Sequence, residues 1–280
     1  MIYIMAEKFF SHITKSIKNT KDFPSGNFLF PRREIKDGFH LYCKYWQDYK
    51  KNLPPLPKNL FNICIGVILG DASLFKQSLH SGIKFEQGYK QKEFLYHLFD
   101  LFSLYTFMDM PGQRTDLNSK RKGLVKSFWF KTFSHYSFTE LLHLFCRNAK
   151  KEISENLITD YLTPIGFAYW IMCDGSLQKS KNCLIIHTQS FTKLENLLAV
   201  KQLNNKWGLS CEVILHKQKY WVIKTHVKDV ETLHFLLKPY LIPSMIYKLP
   251  AIKKNHTNII PDKNYNKSVA THQICNKSSI

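Results

Sequence analysis

Two apolar runs set the pattern of this chain. Leu60 to Gly70 holds no charged residue and is closed by Asp71; Tyr161 to Cys173 holds none and is closed by Asp174. Both continue alike, as Asp71-Ala72-Ser73-Leu74 and Asp174-Gly175-Ser176-Leu177. Runs of this length and apolarity predict buried helices that stop at the acid. Gly66 and Gly70 are four apart and so share a helix face, where missing side chains let a second backbone approach. Each glycine costs a helix roughly 1 kcal/mol relative to alanine, a cost that close packing explains. An ionised acid at a helix C-terminus faces the negative end of the helix dipole, so Asp71 and Asp174 require a compensating cation. Delivered to one place by two packed helices, they make a site for a divalent metal.

The same order of elements follows each run. After Asp71, Ser73–Gln77 and Ile83–Gln87 predict a hairpin around Ser81-Gly82. A helix follows over Glu93–Tyr105, with Phe94, Leu95, Leu98, Phe99 and Phe102 at helical spacing. Met108–Lys122 is read as a loop, Gly123–Phe133 as strand and Phe138–Phe145 as helix. After Asp174, a hairpin over Ser176–Gln189 turns near Lys181-Asn182 and leads into a helix over Phe191–Trp207. Strands at Glu212–Leu215 and Tyr220–Thr225 flank a turn at 217–219, and Val227–Leu237 closes as helix. Each half therefore reads αββαββα, an internal repeat that implies an α+β fold with a pseudo-twofold. The expected divisions are a partly flexible extension over 1–59, repeats over 60–150 and 151–250, and a polar tail over 251–280. Within the extension, Leu41–Lys50 reads as one helix, and Leu53-Pro-Pro-Leu-Pro57 as a stiff spacer.

Charge adds a partner to this picture. The chain of 280 residues has a net charge of +19, an excess that points to a polyanion. Neither apolar run approaches the roughly 20 residues needed to cross a bilayer, so nucleic acid is expected rather than membrane. No secretory signal pattern is read at the start. The seven cysteines include no Cys-x-x-Cys, so neither a disulfide framework nor a zinc finger is expected, and a reducing compartment fits.

Residues 64–72 (Cys-Ile-Gly-Val-Ile-Leu-Gly-Asp-Ala) and 167–175 (Phe-Ala-Tyr-Trp-Ile-Met-Cys-Asp-Gly) resemble the paired motifs of the LAGLIDADG homing endonucleases in their two-repeat, single-chain form. Each keeps the acid at the eighth position. The first keeps glycine at the third; the second has Tyr169 there, which implies a looser or differently shaped helix contact. Leu69 and Met172 fill the sixth position, often acidic in the family, leaving one carboxylate per motif. Tyr161–Pro164, Thr188–Thr192 and Lys238–Pro250 resemble a mitochondrial intron-encoded member most closely.

The resemblance implies two saddle-shaped antiparallel sheets with the motif helices at the centre. It also implies Mg²⁺-dependent (or Mn²⁺-dependent) hydrolysis of double-stranded DNA at a long target during intron homing, by a monomer. Asp71 and Asp174 become the catalytic acids and metal ligands, with Lys151 and Lys248 beside them. Gln87 and Gln189 follow their acids at nearly equal distance and are candidates to position solvent. Two-stranded ribbons fit the major groove, which makes Lys76, Lys84, Lys120, Arg121, Lys122, Lys126, Lys179, Lys181, Lys217, Lys219 and Lys224 candidate DNA contacts. Group I intron RNA, bound as by a maturase, is the alternative partner. A mitochondrial, organelle-encoded product is expected, with the chloroplast as alternative.

Overall fold

The computed structural model describes residues 43–116, 122–147 and 150–252. Helix α1 (Lys44–Lys51) precedes the first half. That half contains α2 (Lys58–Leu69), β1 (Ser73–Gln77), β2 (His80–Gly88), α3 (Lys92–Leu101), β3 (Gly112–Thr115), β4 (Val125–Lys131) and α4 (Tyr136–Phe145). A small ladder of β5 (Cys146–Arg147) and β6 (Lys150–Lys151) closes it. The second half has α5 (Pro164–Asp174), β7 (Gly175–Gln178), β8 (Cys183–Ile186), α6 (Lys193–Trp207), β9 (Glu212–His216), β10 (Tyr220–Lys224) and α7 (Val230–Leu237). The fold is α+β, and its two antiparallel sheets share one topology, β1-β2-β4-β3 and β7-β8-β10-β9.

The registers match as well. Ser73 and Ser176, each two residues past its acid, pair with Lys84 and Ile185, which pair onward with Lys131 and Lys224. Local chemistry sets the boundaries. Thr163 caps α5 by accepting from Gly166 N, with Pro164 in the first turn. Thr192 and Glu195 form a capping box on α6, and Gly208 ends that helix at φ 64°. Lys217 and Gln218 both take positive φ at the tight turn that joins β9 to β10, where Lys219 N donates to His216 O at 3.1 Å.

Helices α3 and α4 pack on one face of the first sheet. Phe85 stacks on Phe130 at 4.5 Å and also meets Phe102. Burial of such side chains contributes roughly 1.5–3 kcal/mol each. Helix α1 joins this core through Trp46, buried against Phe133 at 5.6 Å, while Lys50 Nζ donates to Ser134 Oγ at 3.2 Å. No helix among the described residues is long and apolar enough to cross a membrane.

Two local expectations change, and one alternative is decided. The first hairpin turns at Ser78, with φ 57°, rather than at Ser81-Gly82. Gly82 serves packing instead, since a Cβ there would lie 2.5 Å from the Phe75 ring. Strand β3 falls inside the segment read as a loop, where Arg114 and Thr115 break the apolar alternation. The motif helices meet in an altered shape without loosening. A Cβ on Gly66 would lie 1.9 Å from Gly166 O, and one on Gly166 would lie 2.7 Å from Asn62 O. Gly166, one turn before Tyr169, thus provides the close approach, and Tyr169 turns to share a 2.6 Å hydrogen bond with His97 of α3.

Candidate active site and nucleic-acid interface

Helices α2 and α5 pack side by side and bring their ends together. A Cβ built on Gly70 would touch Cys173 at 2.4 Å and lie 3.6 Å from Asp174 Oδ2. The carboxylate of one motif therefore reaches the residue before the acid of the other. Burial, and after it the charge of Asp71, raises the Asp174 pKa to about 7. Two acids held together in a half-buried place repel each other, and a cation between them relieves that repulsion.

The cation that each acid required is present as a lysine at each helix end. Lys151 Nζ donates to Ile68 O and Gly70 O, both at 2.8 Å. Lys248 Nζ donates to Ile171 O at 3.1 Å, Met172 O at 2.5 Å and Cys173 O at 3.4 Å. These carbonyls lie in the last turn, where helix partners run out (Ile171 O still accepts from Gly175 N), and the ammoniums sit at the negative dipole ends. Lys248 is only 3% exposed, a cost that its three acceptors offset. Burial lowers the pKa of both lysines, while the nearby acids oppose that shift. Strand β6 brings Lys151 to its place; the 3₁₀ segment Pro243–Lys248 brings the second lysine.

The two halves differ at the glutamines. Gln87 Nε2 donates to Asp71 Oδ2 at 2.9 Å. Gln189 is exposed and meets His187 Nδ1 at 3.3 Å, so it does not join Asp174. Strand register explains the difference. The first hairpin is two residues longer, and Thr188, buried and bonded to Asn196, stands where Gln87 stands in the first half.

The donor chemistry at the acids fits a hard divalent ion. Asp71 and Asp174 bring carboxylate oxygens to one place, and among the described residues no group of three or more His, Cys, Asp and Glu collects to hold a metal. An ion such as Mg²⁺, which binds through one or two carboxylates plus phosphate and water, suits this set.

Of the basic candidates, Lys76, Lys122, Lys126, Lys179, Lys181, Lys217 and Lys219 are exposed. Lys84 is paired with Glu86 and Lys224 with Glu212, each at 2.5 Å. Lys120 and Arg121 lie outside the described residues, as do residues 1–42 and 253–280. Sequence reasoning missed Arg114 and Glu86, paired at 3.3 Å on the first sheet. Alternation about Phe85 signals that Glu86 faces away from the core. Burial pushes its carboxyl up, but hydrogen bonds from Lys84 and Ser127 outweigh that and hold it below its usual range.

Comparison with known proteins agrees with this architecture. Residues 61–233 match the model of the LAGLIDADG DNA endonuclease family. The chain is 34% identical over 213 residues to a probable intron-encoded endonuclease of Wickerhamomyces canadensis, covering 74% of this chain and 90% of the relative. It is 46% identical over 132 residues to a probable intron-encoded DNA endonuclease of Mycosarcoma maydis, covering 46% of this chain and 96% of that protein. The solved homing endonuclease I-WcaI, bound to its DNA recognition sequence, superposes with a TM-score of 0.71 at 32% identity, over 77% of this chain and 96% of that one. With the repeated topology, the helix pair and the two acids at its end, this chain belongs to the LAGLIDADG DNA endonuclease family.

Proposed function

We propose that the protein is an intron-encoded, site-specific endonuclease that cleaves both strands of a long DNA target as a monomer, with Mg²⁺ (or Mn²⁺) as cofactor. The observation that carries this reading is the meeting of Asp71 and Asp174, each on a helix end held by a lysine. Mg²⁺ bound by these acids would polarise the scissile phosphates and lower the pKa of the attacking water. Lys151 and Lys248 hold the helix ends, and so the direction of each carboxylate, and supply positive charge beside the developing negative charge. Gln87 fixes the rotamer of Asp71 and leaves its second oxygen for a ligand. The exposed lysines of the hairpins hold phosphates, while polar neighbours read base edges. An organelle origin, mitochondrial before chloroplast, accompanies this role. Binding of group I intron RNA is the alternative; it would use the basic surface without needing the acids.

The test is cleavage of the intronless target with Mg²⁺ by wild type, Asp71→Asn and Asp174→Asn. Each amide removes the charge that holds the metal, so double-strand cleavage should disappear, leaving at most nicking of one strand. DNA affinity should persist or rise, because phosphate contacts dominate it. Robust double-strand cleavage by both variants would remove the acids from the reaction. Intact intron binding by a wild type that cuts no DNA would favour the RNA role.

A further inference from the structure

The outer face of the first sheet holds an acid where a polyanion is expected to bind. Lys84, Glu86, Ser127 and Arg114 share that face by strand alternation, opposite Ile83, Phe85, Phe128 and Phe130. Glu86 is held on three sides. Its Oε1 accepts from Ser127 Oγ at 2.7 Å and lies 3.3 Å from Arg114 Nε, and its Oε2 accepts from Lys84 Nζ at 2.5 Å. Salt-bridge formation by Nε is the informative detail. It leaves both terminal Nη groups of Arg114 without a hydrogen bond among the described residues, on a side chain that is 54% exposed. With its Nε set against the carboxylate, the guanidinium has its Nη edge left to face outward. That edge is the fork that matches O6 and N7 of guanine in the major groove. A lysine meant only for phosphate needs no such support.

The pseudo-twofold isolates the feature. Along the matched ladders, Glu86 corresponds to His187 and Arg114 to His216. His187 and His216 pack edge to face at 5.7 Å, and Ser176 Oγ and His187 Nε2 share a 2.7 Å hydrogen bond. The second sheet has no arginine at this place.

We propose that Arg114 reads a guanine in the half-site under the first sheet, with Glu86 as the residue that positions it, and that the second sheet has no equivalent reader. This rests on the DNA endonuclease reading and adds a specificity-determining pair to it. Arg114 touches the base; Glu86 acts through Arg114.

Selection from a randomised duplex DNA library, with full-length protein in Ca²⁺ to retain bound duplex uncut, tests the assignment. Wild type should select a guanine at one position of one half-site. Arg114→Ala should lose that preference by on the order of ten- to a hundredfold while the remaining positions stay selected. Arg114→Lys keeps the charge but not the fork, and should lose the same preference. Glu86→Gln should weaken selection at that position only, without lowering overall affinity. A selected site whose guanine preference survives Arg114→Ala would overturn the assignment. So would an equal loss at all positions with a salt slope reduced by about one, which marks a phosphate contact. Both results leave the endonuclease reading standing. Selection of no sequence by wild type would overturn that reading and the arginine assignment together.

Discussion

At Asp174 charge and burial conflict. Burial and the neighbouring Asp71 raise its pKa to about 7, far above the ordinary aspartate range. The folded protein therefore binds a proton there that the unfolded chain has released. The stability linked to this group is fully present below about pH 4 and is lost as pH rises through about 7. Metal-free protein should accordingly melt at lower temperature at pH 8 than at pH 5, with Asp174 contributing on the order of a few kcal/mol. Asp174→Asn should remove that component and raise the melting temperature at pH 8, and thermal unfolding in a chelator checks it. An unchanged melting temperature in the variant would show that the raised pKa has no thermodynamic consequence. At this scale the sequence was readable where chemistry is local. Both acids stood out at the ends of uncharged runs, whereas Lys151 and Lys248 were located only by the family resemblance. Counting along the chain paired Gln189 with Gln87 because it ignores hairpin length; register places Thr188 at the position matching Gln87.

Among the elements, the paired motif helices carry the tightest constraint. The Cβ of Gly66→Ala would fall 1.9 Å from a backbone carbonyl of α5, which has no rotamer with which to move away. Alanine would gain roughly 1 kcal/mol of helix propensity, but overpacking costs about 1–3 kcal/mol or more. With the clash at the upper end of that range, the variant should be destabilised by about 2 kcal/mol net, measured as a lower urea midpoint with an unchanged m-value. A neutral or stabilising outcome would mean that the helices separate freely. Uncharged apolar runs revealed these helices, helical spacing revealed the α3 stripe, and β-rich composition revealed the β9–β10 hairpin. None of these revealed β3, because four mostly exposed residues on an edge strand have no apolar face to alternate. Nor did they reveal Gly166 as the contact, because position in the motif does not say which way a helix rolls on its partner.

For the whole molecule, a net charge of +19 meets two sheets whose exposed lysines cluster at hairpin turns. Each phosphate that such a group neutralises releases counterions, so log K should fall by about 0.9 per contact per decade of salt. Lys217 and Lys219 flank the β9–β10 turn and are exposed. Changing both to Gln should weaken binding to all DNA sequences alike and reduce the salt slope by about two. Titration of a fluorescent duplex between 50 and 300 mM salt would measure it, and an unaltered slope would place that turn away from the nucleic acid. Net charge gave the partner class early. The division of labour among the lysines did not follow from it, since Lys84 and Lys224 spend their charge on Glu86 and Glu212.

The glycine seam between α2 and α5 also decides which halves can pair. The first half brings Gly66 and Gly70 to the contact, the second Gly166 and Cys173, with Tyr169 turned aside to His97. The surfaces are complementary but not alike, so two copies of either half would meet without the opposite set of small residues. Covalent connection keeps each half at high effective concentration to the one mate that fits. Having fixed that match, the chain is free to let its two sheets diverge, which the proposed recognition of two unlike half-sites would require.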